Sequence, residues 1–337
     1  MRNEFIFVKN SLLYFYRKVP LYYYADNGKC VLYKPAGITL KEMRIKEKLL
    51  PKKLYIKEKS KVDAIKEVQQ GYNDELKDSI KHNDFNSIRS ILHNIVEATF
   101  EEPISGSLEG IKDTVNILVD EYTENFNILI RLLDLTVRDY TTFIHSVNVM
   151  AMALSYASYV KFGLSQKKLL GLSALLHDIG KARINKDLLT APRKLNAEEF
   201  MEIQKHTVIG YNILSECQFG NDKIKTTALQ HHEKLDGSGY PSGRTNIDEF
   251  AQIVAIIDCY EALTNYERVY RNAMKPLSAL ELIQSEIVNA GKFSRLIFKD
   301  FAYSLLQFYN SPKKTISFQP SAKMNKTAER NAWPNII

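Results

Sequence analysis

Leu169-Leu170-Gly171-Leu172-Ser173-Ala174-Leu175-Leu176-His177-Asp178-Ile179-Gly180-Lys181 is the stretch that decides the fold. Its uncharged, mostly apolar start reads as a buried helix. That helix ends on an ionisable pair, His177 and Asp178, which is costly to bury unless a metal or an opposite charge meets it. Adjacent helical residues diverge by about 100°, so both side chains reach one site from neighbouring directions. Asp178 has two oxygens, enough to bridge two metal ions. Lys181 follows on the same face, three residues after Asp178 and four after His177. There its ammonium serves a substrate phosphate, a salt bridge to Asp178, or both.

Five of the seven histidines (His145, His177, His206, His231 and His232) fall within one window of under ninety residues. A lone histidine on a helix is usually structural. Five in one helical region, beside the carboxylates Asp178 and Asp258, read as metal ligands. Imidazole and carboxylate together suit first-row metals such as iron, manganese, zinc or nickel. The three cysteines, Cys30, Cys217 and Cys259, are too scattered for a structural zinc or a disulfide framework.

The string His177-Asp178-Ile179-Gly180-Lys181, followed by His231-His232-Glu233-Lys234-Leu235-Asp236-Gly237-Ser238-Gly239-Tyr240-Pro241, resembles the double signature of HD-GYP cyclic di-GMP phosphodiesterases. The similarity extends over roughly residues 111–308. The segment around His145 resembles the family's first ligand segment, His206 with Gly210-Tyr211 the third, and 256–264 the one that supplies the last aspartate, Asp258. Arg268, Tyr270 and Arg271 are similar to the family's substrate-facing basic cluster.

This resemblance implies an all-helical HD-type catalytic domain over residues 111–311 and two divalent metal ions, iron or manganese. Asp178 would bridge them. His145, His177 and Asp258 would hold one ion, and His206, His231 and His232 the other. A metal-activated hydroxide would attack phosphorus in line and open cyclic di-GMP to linear pGpG, with Lys181, Arg268 and Arg271 on the non-bridging oxygens. The loop at Gly239-Tyr240-Pro241 would shape the substrate mouth, with Tyr240 as a contact, or present a surface to signalling proteins; equally, it would only position His231 and His232. Glu233 reads as an acceptor for a ligand imidazole or as a surface salt bridge. Members with a third metal carry a glutamate where this chain has Thr141, so no third metal is expected and hydrolysis is expected to stop at pGpG. Glu261 and Val269 replace the usual aspartate and proline, and neither is an expected ligand.

Two other readings stay open. One is hydrolysis of another cyclic dinucleotide such as cyclic GMP-AMP, which no residue excludes. The other is a catalytically weak receptor for a cyclic dinucleotide or a partner protein; a complete ligand set for two metals favours the enzyme.

Upstream the pattern changes. Leu21-Tyr22-Tyr23-Tyr24-Ala25 and Cys30-Val31-Leu32-Tyr33 flank Asp26-Asn27-Gly28, a hairpin signal. A helical stretch near 39–49 and a strand at 54–56 complete a small α+β accessory domain over residues 1–70. Residues 71–110 read as a helical linker, and no strand is expected after Gly106. The fold class is therefore mainly α, an all-helical domain preceded by a small α+β one. Asn196 with Glu199, and Ser278 with Glu281, have capping-box spacing, and Ser165 is a further cap candidate. Residues 312–337 read as a polar, disordered tail.

No run is long and apolar enough for a membrane span, and the start lacks signal-peptide features. A reducing cytoplasm fits. Forty-six basic against thirty-nine acidic residues leave +7. With no aromatic-interleaved basic motif along the chain, solvated surface lysines are the expectation, and no nucleic-acid polymer is expected as a partner.

Overall fold

The computed structural model describes residues 4–40, 51–124, 142–191, 193–265 and 273–310. Strands β1 (Phe5–Val8), β2 (Leu21–Tyr24), β3 (Cys30–Lys34) and β4 (Leu54–Lys57) form one sheet. Its order is β1-β4-β2-β3, with every pairing antiparallel. The expected hairpin is β2–β3, and Gly28 closes its turn at φ 75°, a conformation open to glycine without strain. Strand β1 was not anticipated: four apolar residues are too short a run to display a period of two. The helical stretch expected at 39–49 falls, beyond Leu40, outside the described residues, as does the tail from 312.

Helix α1 (Lys61–Lys81) receives this sheet. The Glu67 carboxylate accepts backbone N–H bonds from Arg17, Lys18 and Val19 at 3.0, 2.6 and 3.2 Å. Helices α2 (Phe85–Glu101) and α3 (Ser105–Glu124) follow. Gly110 lets α3 approach Gln69 of α1. At that crossing Asn73 donates to the Gly110 carbonyl at 2.9 Å and the Thr114 hydroxyl donates to Asn73 at 2.7 Å. One cluster of buried apolar side chains runs from Val8 to Leu305, so the sheet and the later helices share a core.

The remaining elements are all helical. They are α4 (Thr142–Tyr159), α5 (Leu164–Leu176), a 3-10 turn (Ile179–Arg183), α6 (Lys186–Leu189), α7 (Ala197–Gln204) and α8 (His206–Glu216). Then come α9 (Asp222–Gln230), α10 (Glu249–Thr264), α11 (Pro276–Leu282), a π-helical turn (Ile283–Val288) and α12 (Arg295–Asn310). Apolar α4 is a core helix, with Val149, Met150, Ala151, Ala153 and Leu154 buried. No helix among the described residues is long and apolar enough to cross a membrane.

The caps divide. Asn196 and Glu199 form the expected reciprocal box at the start of α7. Ser278 does not cap α11, because Pro276 occupies its first turn and moves the cap to Lys275. Ser165 lies inside α5, whose cap is Gly163, with the Gln166 side chain accepting from the Gly163 N–H.

Gly180 sets the spacing between the turn after α5 and helix α8. A Cβ there would lie 1.9 Å from the His206 carbonyl oxygen and 2.6 Å from the Gly210 nitrogen. Both are backbone atoms and cannot swing aside. Gly180→Ala is therefore expected to destabilise the fold by about 2 kcal/mol or more, the upper range of overpacking effects, read as a lower denaturant midpoint. A midpoint equal to that of the unmodified chain would mean that the turn and α8 are not held this closely.

Candidate metal centre

The sequence-predicted ligands converge from five helices. His145 projects from α4, His177 and Asp178 follow the end of α5, and His206 opens α8. His231 caps the end of α9 with His232 beside it, and Asp258 lies within α10. His145, His177, Asp178, His206 and His231 are each no more than 1% exposed. His232 and Asp258 are half-buried and mark the open side.

Main-chain carbonyls fix three of the imidazoles. Nδ1–H of His177 donates to the Ala174 carbonyl at 2.7 Å, and that of His206 to Ile203 at 2.6 Å. His231 Nδ1–H reaches the Thr227 and Ala228 carbonyls at 3.1 and 3.0 Å. A carbonyl only accepts, so Nδ1 carries a proton in each ring, and in neutral His206 and His231 the lone pair is on Nε2, directed at the centre. Burial pushes the pKa of His206 down to about 3 and lowers those of His231 and His232. These rings are therefore uncharged at neutral pH.

Two unprotonated nitrogens, His206 Nε2 and His231 Nε2, then face each other at 3.3 Å. Asp178 Oδ1 joins them at 3.3 and 3.7 Å, buried and with no hydrogen-bond donor. Three electron pairs meet with no proton between them. Such a cluster is repulsive until a cation enters, and its edges suit donors around one ion at bonds of roughly 2.1 Å.

The other half has a similar arrangement of donor atoms but a different charge. His145 Nε2 lies 3.3 Å from His177 Nε2 and 3.1 Å from Asp258 Oδ1. Asp178 Oδ2 is 3.6 Å from His145 Nε2 and 3.4 Å from His177 Nε2. The Asp178 carboxylate thus turns one oxygen to each group. Burial opposes its ionisation, but the Lys181 ammonium, 2.5 Å from Oδ2, and His177 outweigh burial and hold it well below the usual carboxylate range. Burial likewise acts to lower the pKa of His145, yet Glu261 and Asp258 overcome it and hold that imidazole up at about 9. The donor set suits divalent metal binding.

Glu261 has a part that the sequence reading set aside. It is 2% exposed and accepts from His145 Nδ1–H at 2.6 Å, while Asn148 and Asn265 donate to its other oxygen at 2.9 and 2.6 Å. It therefore orients His145. The usable signal is spacing: Glu261 lies three residues after Asp258, and Asn148 three after His145.

Glu233 pairs with exposed Arg244 at 4.0 Å, as the salt-bridge reading has it, but is itself buried rather than on the surface. It accepts backbone N–H bonds from Ser242 at 2.8 Å and Arg244 at 3.1 Å, anchoring the loop that carries Tyr240. Gly239 permits the close return of that loop, since a Cβ there would lie 2.5 Å from the His232 carbonyl oxygen. Tyr240 then stacks on the His232 ring at 4.6 Å and 25°. Thr141, Arg268, Val269, Tyr270 and Arg271 lie outside the described residues.

Comparison with known proteins agrees with this geometry. Residues 127–289 match the family described as HD domain. A cyclic di-GMP phosphodiesterase of Pseudomonas aeruginosa is 33% identical over 190 residues, 55% of this chain and 45% of that protein. The 3′3′-cGAMP-specific phosphodiesterase 1 of Vibrio cholerae is 34% identical over 170 residues, 50% of this chain and 39% of that protein. The chain spans less than half the length of these curated relatives. Among solved structures, an HDG"Y"P protein from Bdellovibrio bacteriovorus shares the fold with a TM-score of 0.61 and 20% identity, over 90% of this chain and 99% of that one. Residues 127–289 therefore carry an HD domain, and the chain shares its fold with the Bdellovibrio protein.

Proposed function

We propose that this chain is a metal-dependent phosphodiesterase of cyclic dinucleotides that opens cyclic di-GMP to linear pGpG. The observation that carries the reading is the division of Asp178, with Oδ1 at His206 and His231 and Oδ2 at His145 and His177. On this reading His145, His177 and Asp258 hold one ion, and His206, His231 and His232 the other. Imidazole and carboxylate donors without thiolate suit iron or manganese. When bound, two such ions supply water activation and neutralise charge on the phosphoryl oxygens.

The chain's own side chains do the rest. Lys181 keeps a partly exposed ammonium beside Asp178, within reach of a non-bridging phosphoryl oxygen. Arg268 and Arg271, by the family resemblance, complete the phosphate clamp. Tyr240 walls the open side through its stack on His232. Glu261 keeps His145 Nε2 turned inward. A second reading, hydrolysis of a mixed cyclic dinucleotide, is favoured by the similarity to a 3′3′-cGAMP-specific phosphodiesterase.

Anaerobic purification, elemental analysis and product chromatography with cyclic di-GMP test the proposal together. Two ions per chain and accumulating pGpG are expected, because Thr141 offers only a neutral hydroxyl for a third cation. One ion or none in an active preparation, or rapid conversion to GMP, contradicts it. No turnover of cyclic di-GMP beside brisk turnover of 3′3′-cGAMP selects the second reading.

Substitution separates the roles. Asp178→Ala should lose both ions, and Glu261→Ala should weaken metal affinity by roughly 10–100-fold. Lys181→Ala should retain metal but lose about 2–4 kcal/mol of transition-state stabilisation. Unchanged kinetics in Lys181→Ala would remove that residue from the phosphate contact.

A further inference from the structure

The metal centre leaves the outer face of the N-terminal sheet without a role. Strand alternation sorts the sheet cleanly. Val8, Leu21, Leu54 and Ile56 point to the core and are buried. The register puts Phe5 opposite Lys57, Phe7 opposite Tyr55, and Tyr22 opposite both Tyr55 and Leu32. The face turned away from the core is therefore Phe5, Phe7, Tyr22, Tyr24, Tyr55 and Lys57. Rings meet edge to face across three strands, Phe5 with Tyr22 at 5.2 Å and Tyr24 with Tyr55 at 5.0 Å. Lys57 Nζ lies over the Tyr22 ring at 5.4 Å and the Phe5 ring at 6.0 Å.

Cross-strand aromatic pairs stabilise a sheet, and that accounts for the middle of the cluster. It does not account for the rim, where Phe7, Tyr24 and Leu32 stay 52%, 49% and 51% exposed. An apolar patch of this kind marks an interaction surface.

Charge says what fits it. Residues 1–60 carry fourteen basic and five acidic side chains, whereas residues 61–337 carry thirty-two and thirty-four. The whole positive excess therefore belongs to this module. Exposed Lys29, Lys53 and Lys59 flank the ends of its strands. A second copy docking face to face would set this charge against itself, which disfavours self-association. A partner with both aromatic faces and regular negative charge satisfies rings and lysines at once.

We propose that this face binds single-stranded nucleic acid, with bases stacked on the Phe7 and Tyr24 rings and phosphates met by Lys57 and the flanking lysines. Strands lie about 4.8 Å apart, so rings spread over three strands present a row long enough for consecutive nucleotides. A duplex hides its base faces and gains only the charge contacts. The basic and aromatic residues interleave across strands distant in sequence, which is why no such motif shows along the chain.

Fluorescence anisotropy of a short labelled single strand against the full-length protein, titrated with salt, tests the proposal. Binding should weaken steeply as salt rises. Phe7→Ala with Tyr24→Ala should weaken it by roughly tenfold or more, and Lys57→Gln should flatten the salt dependence. Both Phe7 and Tyr24 are half exposed, so the thermal midpoint should hold; Tyr24→Leu, which keeps an apolar contact but removes the ring, gives a second reading if it does not. An abasic oligomer of equal length should bind the unmodified protein no better than the intact strand binds the double alanine variant. Absence of binding at low salt, equal affinity for the abasic oligomer or poly-glutamate, or equal affinity in the variants would overturn the proposal. So would concentration-dependent dimerisation that the Phe7 and Tyr24 substitutions abolish.

Discussion

Asp178 is buried between two pairs of imidazoles with its oxygens divided, one to each pair. A buried carboxylate needs positive charge or donors on both oxygens. Lys181 serves Oδ2, but Oδ1 faces His206 and His231 and has no hydrogen-bond donor among the described residues. Burial keeps those rings from taking up the protons that would relieve the contact. A cation on the Oδ1 side resolves the conflict. On the proposed reading the set around Oδ2, with His145, His177 and Asp258, holds another once His145 gives up its proton.

The fold meets this constraint with one device used three times. His177, His206 and His231 each follow the end of a helix and donate Nδ1–H to a carbonyl of that helix's last turn. Carbonyls of a last turn have spare accepting capacity, even where a cap N–H already reaches them, as at Ile203 and Thr227. One bond therefore caps a helix end, selects the tautomer and aims Nε2 at the centre. His145 stands mid-site on α4, away from such an end, and uses Glu261 instead. Gly180 completes the arrangement by letting backbone touch backbone between Asp178 and His206.

Which parts were legible follows from the range over which each is specified. Of the seven proposed ligands, His177, Asp178, His231 and His232 sit in two short strings, His177–Lys181 and His231–Pro241, whereas His145, His206 and Asp258 were reached through the resemblance of their own segments. The β2–β3 hairpin and the Asn196–Glu199 box were readable because their chemistry is local. Glu261 was passed over because its partner His145 lies 116 residues away, and composition at one position says nothing about such a contact. Glu233 was read only as far as its ion pair with Arg244 for the same reason, since the N–H groups that it accepts from belong to a loop whose path depends on Gly239. Ser278 and Ser165 lost their cap positions to Lys275, set there by Pro276, and to Gly163. The aromatic face is a product of register alone, drawn from strands far apart in sequence, as Phe5 opposite Lys57 shows.

Two chemistries thus share one core, a buried metal-binding cluster among the later helices and a basic aromatic sheet at the start. The account stands or falls on Asp178 between two cations. An anomalous difference map from a manganese-loaded crystal measures this directly. The account predicts two peaks, one beside Asp178 Oδ1 with His206, His231 and His232, the other beside Oδ2 with His145, His177 and Asp258. A single peak, or peaks that leave Asp178 outside the coordination of both ions, would contradict it.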